Sequence, residues 1–170
     1  DFIKRRKNDR IGLVLFGTRA YLQSPVTFDR QSVREILRSM DAGMAGNSTS
    51  IGDALGLALK SIRESGGSEE RIIILLTDGE NNDGSLSMAQ AINLARNEKV
   101  KVYTIGVGAE NAFVRSLFGM RIAMPGGIDE EGLKRLAEET KGNYFRAGDT
   151  EGLQKIYAEI DRLEPSANED

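Results

Sequence analysis

Apolar residues fall along the chain in two alternating rhythms. Residues 10–17 (Arg-Ile-Gly-Leu-Val-Leu-Phe-Gly), 71–76 (Arg-Ile-Ile-Ile-Leu-Leu) and 100–106 (Val-Lys-Val-Tyr-Thr-Ile-Gly) are short runs rich in β-branched side chains and bounded by turn residues. Apolarity that is continuous rather than alternating predicts strands covered on both faces, as in a parallel sheet. A weaker strand at 20–24 (Ala-Tyr-Leu-Gln-Ser) follows the first across Gly17-Thr18-Arg19, close enough to pair with it as an antiparallel hairpin. Residues 143–146 (Asn-Tyr-Phe-Arg) predict a short last strand.

Between these runs the period changes to that of a helix. Asp29 can cap a helix carrying Val33, Ile36, Leu37 and Met40, and Ile51, Ala54, Leu55, Ala58, Leu59 and Ile62 share one face of a second. Met88, Ala91, Ile92 and Ala95 repeat the spacing, as do Leu133, Leu136 and Ala137, then Leu153, Ile156, Tyr157, Ile160 and Leu163 behind an Asp149 cap. Alternating strands and helices predict an α/β, doubly wound sheet. Two stretches break the pattern. Residues 111–128 carry Phe113, Leu117, Phe118, Met120, Ile122 and Met124 without a clean period and end in Pro125-Gly126-Gly127, which predicts a long insertion on the sheet's rim, helical at its start, and a candidate partner surface. From Glu164 to Asp170 the chain is polar and contains Pro165, so packing is expected to stop near Leu163 and a tail or linker to follow.

Composition narrows the chemistry. At 170 residues the chain is one domain on the usual ~150 residues per domain. The absence of Cys excludes disulfides and thiolate sites, and the absence of His excludes imidazole ligands and every Ser-His or Cys-His arrangement. With 26 acidic against 23 basic residues the net charge is -3, which argues against a nucleic-acid partner. No apolar run approaches the ~18–20 residues of a membrane span.

In an open parallel sheet, ligands bind beyond the carboxyl ends of the strands. After 71–76 comes Thr77-Asp78-Gly79-Glu80-Asn81-Asn82-Asp83-Gly84. Asp78 can present oxygen to a hard cation there, or belong to a plain Asp-Gly turn. An EF-hand register fails, because counting from Asp78 puts Asp83 at the glycine position and Ala89 at the bidentate acid. Residues 46–55 (Gly-Asn-Ser-Thr-Ser-Ile-Gly-Asp-Ala-Leu) place three hydroxyls before a helix, readable as an ordinary N-cap or as oxygen donors; Gly52 and Gly56 would let that helix sit close to the sheet. Gly106-Val107-Gly108 reads as a turn, lacking the third glycine or the lysine of a phosphate loop.

Taken in order, the first apolar strand with Phe-Gly-Thr-x-Ala, the hairpin, the Asn-Ser-Thr-Ser-Ile-Gly-Asp-Ala-Leu helix, Ile-Ile-Leu-Leu-Thr-Asp-Gly-Glu-Asn-Asn and Val-Tyr-Thr-Ile-Gly-Val-Gly resemble a von Willebrand factor A (VWA) domain over about residues 8–163. Within that family the chain is similar to bacterial aerotolerance-type proteins (Bat, BatA/BatB-like), which share the Lys-Gly-Asn-Tyr-Phe-Arg-Ala-like last strand. The resemblance implies a Rossmann-like, mostly parallel sheet with one antiparallel edge strand. It also implies a metal-ion-dependent adhesion site holding Mg²⁺, or Mn²⁺ or Ca²⁺, completed by an acidic residue of a protein partner. Thr49 matches the family's loop threonine and Asp78 the aspartate of its T-D-G loop, with Ser48, Ser50, Gly79 and Asn82 supporting the two loops.

One family element is missing. The family places a D-x-S-x-S after a first strand that lies centrally, between the strands at 10–17 and 71–76, and no such motif stands ahead of residue 10; the one stretch with that spacing, Asp83-Gly84-Ser85-Leu86-Ser87, lies instead after the T-D-G loop. The chain is therefore expected to form a single domain over 1–163 that lacks its first strand, and to bind Mg²⁺ weakly or not at all. The resemblance further implies a non-enzymatic interaction module in a soluble part of a bacterial inner-membrane protein, with other Bat-type proteins and a MoxR-type AAA+ ATPase as partners. Two rivals stand beside it: a Mg²⁺-dependent hydrolase or phosphotransferase using Asp78, and a metal-free oligomerisation domain using 111–128.

Overall fold

A computed structural model describes residues 1–41, 44–67, 70–108, 113–115, 121–123 and 127–166. The elements run α1 (Phe2–Arg5), β1 (Ile11–Phe16), β2 (Ala20–Thr27), α2 (Arg30–Ser39), α3 (Ile51–Ser65), β3 (Ile72–Thr77), α4 (Met88–Asn97), β4 (Lys101–Val107), β5 (Phe113–Arg115), β6 (Arg121–Ala123), α5 (Glu130–Glu139), β7 (Tyr144–Ala147) and α6 (Thr150–Leu163). The helix starts follow the capping residues. Asp29, Asp129 and Asp149 accept from the backbone N–H of Ser32, Gly132 and Gly152, and Ser87 forms a reciprocal capping box with Gln90.

β3, β4 and β7 form a parallel sheet, with Ile72 opposite Lys101 through Thr77 opposite Gly106, and Thr104 opposite Tyr144 through Val107 opposite Ala147. Its two faces are both covered, as continuous apolarity requires. Ile73 and Leu75 point into a cluster with Ile51, Leu55 and Leu59 of α3, Ile92 of α4, and Leu133 and Leu136 of α5. Ile72 and Ile74 point the other way, into a cluster with Tyr103, Ile105 and Ile156 and Ile160 of α6. Each fully buried Leu or Ile contributes about 1.5–3 kcal/mol. Two hydroxyls inside the apolar layers fix α5 to β4: Thr104 donates to the Leu133 carbonyl at 2.9 Å, and Thr140 accepts from the Val102 N–H at 3.1 Å.

β1 and β2 pair separately as an antiparallel hairpin, with register shifts between Ile11 and Val14. Among the described residues no ladder joins β1 to β3, so the outer edges of these two strands are unpaired. The absent first strand expected from the sequence would lie between them. The layer above is thin as well, since α1 has four residues and Leu76, on the α6 side of β3, is 40% exposed.

Two local expectations are corrected. The start of the 111–128 stretch is strand rather than helix: Phe113–Arg115 pairs antiparallel with Arg121–Ala123, bringing the β-branched Val114 and Ile122 to one register position. Its remaining apolar positions, and the partner surface assigned to them, lie largely outside the described residues. Glu164, placed in the polar tail, is 5% exposed. Its carboxylate accepts from the Tyr103 hydroxyl at 2.6 Å and from Lys101 Nζ at 2.7 Å, and its carbonyl accepts from Arg6 Nη1. Arg6 also pairs with Asp9 and Asp161, and the Ser166 hydroxyl donates to Asp9. A paired cation and phenol make burial of this carboxylate tolerable, which polarity along the sequence does not reveal.

Candidate functional site

The carboxyl end of β3 and the loop before α3 meet at the upper rim of the sheet. Thr77 is buried at the last strand position, and its hydroxyl accepts from the Gly79 N–H at 3.2 Å, turning the chain so that Asp78 is exposed. Gly79 is needed for close approach: a Cβ there would stand 2.7 Å from Thr49 Oγ1. The Thr49 hydroxyl therefore packs directly against the residue after Asp78. Neither the Thr49 hydroxyl nor the Asp78 carboxylate has a hydrogen-bond or ion-pair partner among the described residues.

Backbone bonds hold these two loops together. Asn82 is the main lock: its side-chain Oδ1 accepts from the Thr49 N–H at 2.9 Å and its own N–H donates to the Thr49 carbonyl at 3.0 Å. The Asp83 N–H donates to the same carbonyl at 3.2 Å. Ser48 is anchored from the other side, its N–H donating to Thr18 Oγ1 at 3.3 Å. Ser50 faces away from the rim; it is fully buried, and both its N–H and its hydroxyl donate to the Gly17 carbonyl at 2.8 Å. Ser50 thus occupies the N-cap position of α3 without capping it through its side chain.

The missing cap comes from across the site. Asn81 Oδ1 accepts from the Gly52 N–H at 3.2 Å, and Asp53 accepts from the N–H groups of Ser85 and Leu86 at 2.8–3.0 Å. Asn81 and Asp53 escape a sequence reading because their partners are 29 to 33 positions away; the available signals are an Asn-Asn pair after T-D-G and an acid in the first turn of α3. The small residues of α3 have a different neighbour from the one expected. A Cβ on Gly52 would stand 2.0 Å from the Leu86 carbonyl oxygen, and one on Gly56 would meet the Leu86 side chain. They admit the loop ahead of α4, not the sheet.

The site's free donors are one carboxylate and one hydroxyl, both hard oxygens of the type Mg²⁺, Mn²⁺ or Ca²⁺ takes. They fit such a cation in kind but not in number, since Mg²⁺ takes about six ligands. Among the described residues no three acidic side chains converge on one point.

The chain that carries this T-D-G loop, locked to an oxygen-bearing loop at the carboxyl edge of a parallel sheet, is similar to several known proteins. It is 27% identical to BatB from Bacteroides thetaiotaomicron, with a TM-score of 0.67 over 95% of this chain and 82% of that one. An aerotolerance-related membrane protein from Bacteroides fragilis is 26% identical, with a TM-score of 0.70 over 96% of this chain and 84% of that one. A UPF0353 protein of Mycolicibacterium paratuberculosis is 28% identical over 167 residues, 89% of this chain and 47% of the relative. The chain spans a third to about half the length of the curated relatives it matches. Among the described residues no helix is long and apolar enough to cross a membrane. The family model for the von Willebrand factor type A domain matches residues 1–159, and the chain belongs to that family.

Proposed function

We propose that the chain is a non-enzymatic protein-binding module of a bacterial membrane-associated protein, and that it engages its partner at the rim formed by Thr49 and Asp78. The observation that carries this reading is two unpartnered oxygens on loops locked together by Asn82: the Thr49 hydroxyl lies against Gly79, the residue that follows the exposed Asp78. A divalent cation, when bound, would supply an open coordination position for an acidic side chain of the partner. Asp78 would provide charge, Thr49 a neutral donor, and Asn82 and Gly79 their spacing. Two donors are too few for a tight site, so this chain alone is expected to hold Mg²⁺ weakly, and strong binding requires oxygens from outside it. The family likeness extends the proposal to other Bat-type proteins and a MoxR-type ATPase as partners.

Paramagnetic broadening tests the site at low affinity. Millimolar Mn²⁺ should broaden the amide signals of Thr49, Asp78 and Gly79 before those of other exposed acids such as Glu35 or Glu131, and Asp78→Asn should abolish the preference. Broadening spread evenly over the surface carboxylates would sink the reading. So would submillimolar Mg²⁺ affinity that Asp78→Asn leaves intact.

A further inference from the structure

A groove of about 470 Å³ runs between α1 and α2, away from the Thr49–Asp78 rim. Four cations line it, Lys4, Arg30, Arg34 and Arg38, against two carboxylates, Asp29 and Glu35. Both carboxylates are engaged with their own helix. Asp29 accepts from the Ser32 N–H at 3.0 Å and the Ser32 hydroxyl at 2.6 Å, and Glu35 accepts from the Gln31 side chain at 3.0 Å. The cations are largely free. Arg30 gives one N–H to the Lys7 carbonyl, while the side chains of Lys4, Arg34 and Arg38 have no hydrogen-bond or ion-pair partner among the described residues. In a protein of net charge -3, this is a local concentration of unpaired positive charge in a concave place.

The spacing of the cations selects among anions. Arg30, Arg34 and Arg38 follow at i, i+4 and i+8, so they stand one above another at a rise of about 6 Å. Alternate side chains of an extended peptide are about 6.6–7 Å apart. Carboxylates at every second position of an extended segment would meet successive guanidiniums, which bind carboxylates in a planar fork. At the groove's end Phe28 is 61% exposed and offers an apolar contact. A flat lipid surface would favour cations on a convex face, and these lie in a groove.

We infer that the α1–α2 groove docks an extended acidic segment of a protein, with carboxylates at alternate positions read by Arg30, Arg34 and Arg38. This surface is separate from the rim and does not depend on a metal.

The test is fluorescence anisotropy with two labelled peptides of equal length and charge, one alternating Glu and Ser, the other with its Glu residues in one block and its Ser residues in another. The alternating peptide should bind more tightly to the intact chain, and Arg34→Glu with Arg38→Glu should weaken it by about tenfold or more. Lys60→Glu with Lys155→Glu makes the same change in net charge elsewhere and should weaken it by less than about twofold. If the double Glu variant fails to fold by circular dichroism, Arg34→Gln with Arg38→Gln replaces it. Equal binding of both peptides, equal losses in the two double variants, or a requirement for Mg²⁺ would overturn the inference. So would binding to phosphatidylserine vesicles or inorganic phosphate that depends on Arg34 and Arg38 when the peptides do not bind.

Discussion

Replacing Asp53 by Ala removes the acceptor that holds the loop between β3 and α4. The carboxylate takes the Ser85 N–H at 2.9 and 3.0 Å and the Leu86 N–H at 2.8 Å, and nothing else in the described structure is positioned to accept either. A hydrogen bond to a charged group contributes about 1.5–3 kcal/mol, but Ser85 is exposed and water can replace its bond at a fraction of that. Leu86 is half-buried beneath α3, so its N–H loses most of its compensation. The sum is a destabilisation of about 2–3 kcal/mol. Asp53→Asn keeps a neutral acceptor and should lose about 1 kcal/mol. Urea unfolding reads both: at a slope of about 2 kcal/mol per molar, Asp53→Ala should lower the midpoint by about 1–1.5 M without changing the slope. Amide exchange gives the local signature, with Ser85 and Leu86 losing protection while β4 keeps it. A midpoint shift equivalent to less than about 0.5 kcal/mol, with those two amides unchanged, would refute the assignment of Asp53 as the loop's anchor.

Other substitutions and conditions probe the remaining packing. Gly52→Ala drives a methyl to 2.0 Å from the Leu86 carbonyl oxygen, a backbone atom that cannot swing away; thermal unfolding should show a loss of about 3 kcal/mol or more, whereas Gly66→Ala, with open space at its Cβ, should retain packing and suffer only from its positive φ. The Lys101 to Arg71 hydrogen bond sets the parallel ladder so that the N–H groups of Ile72, Ile74 and Leu76 face away from β4, and these should exchange far faster than those of Ile73 and Leu75; equal protection would mean that the outer edge of β3 is paired. Burial, and then the hydrogen bond to Glu164, push the Tyr103 hydroxyl up to about 12. A raised value stabilises the fold at neutral pH and is lost as pH rises from about 10 through about 12, so melting temperature should fall across that window by the equivalent of at most about 2–3 kcal/mol. Tyr103→Phe should flatten part of that fall, and an unchanged alkaline profile would remove Tyr103 from its cause.

The parallel sheet was legible because its code is local. Ile72 to Leu76 are apolar on both sides, and both sides are covered. Helix starts were equally readable, since Asp29 and Asp149 act within three residues of themselves. Thr49 and Asp78 could be picked out and the structure brings their loops together, yet the reason they meet was not readable, because Asn82 and Gly79 act across 30 or more positions. Ser50 shows the same limit from the other side. As a hydroxyl before a helix it predicts a cap, but the carbonyl of Gly17, 33 positions upstream, takes its proton instead. The burial of Glu164 is not legible in its own polar surroundings, because a carboxylate's burial depends on what stands opposite it, and Lys101 and Tyr103 arrive from a strand about 60 residues earlier.

The clamp of Arg6 on Asp161 and Glu164 joins segments more than 150 positions apart, at the end of the sheet where β4 begins. The Thr49–Asp78 rim lies at the opposite end, beyond where β3 finishes. Traction on the two flanks of the chain would accordingly be borne by that clamp and by the Phe2–Tyr157 ring contact, not by the sheet. Pulled through residues 1 and 166, the molecule should first peel α1 from α6 at low force and keep its rim intact. A mount of this kind would let the Thr49–Asp78 rim hold its shape while the base gives way.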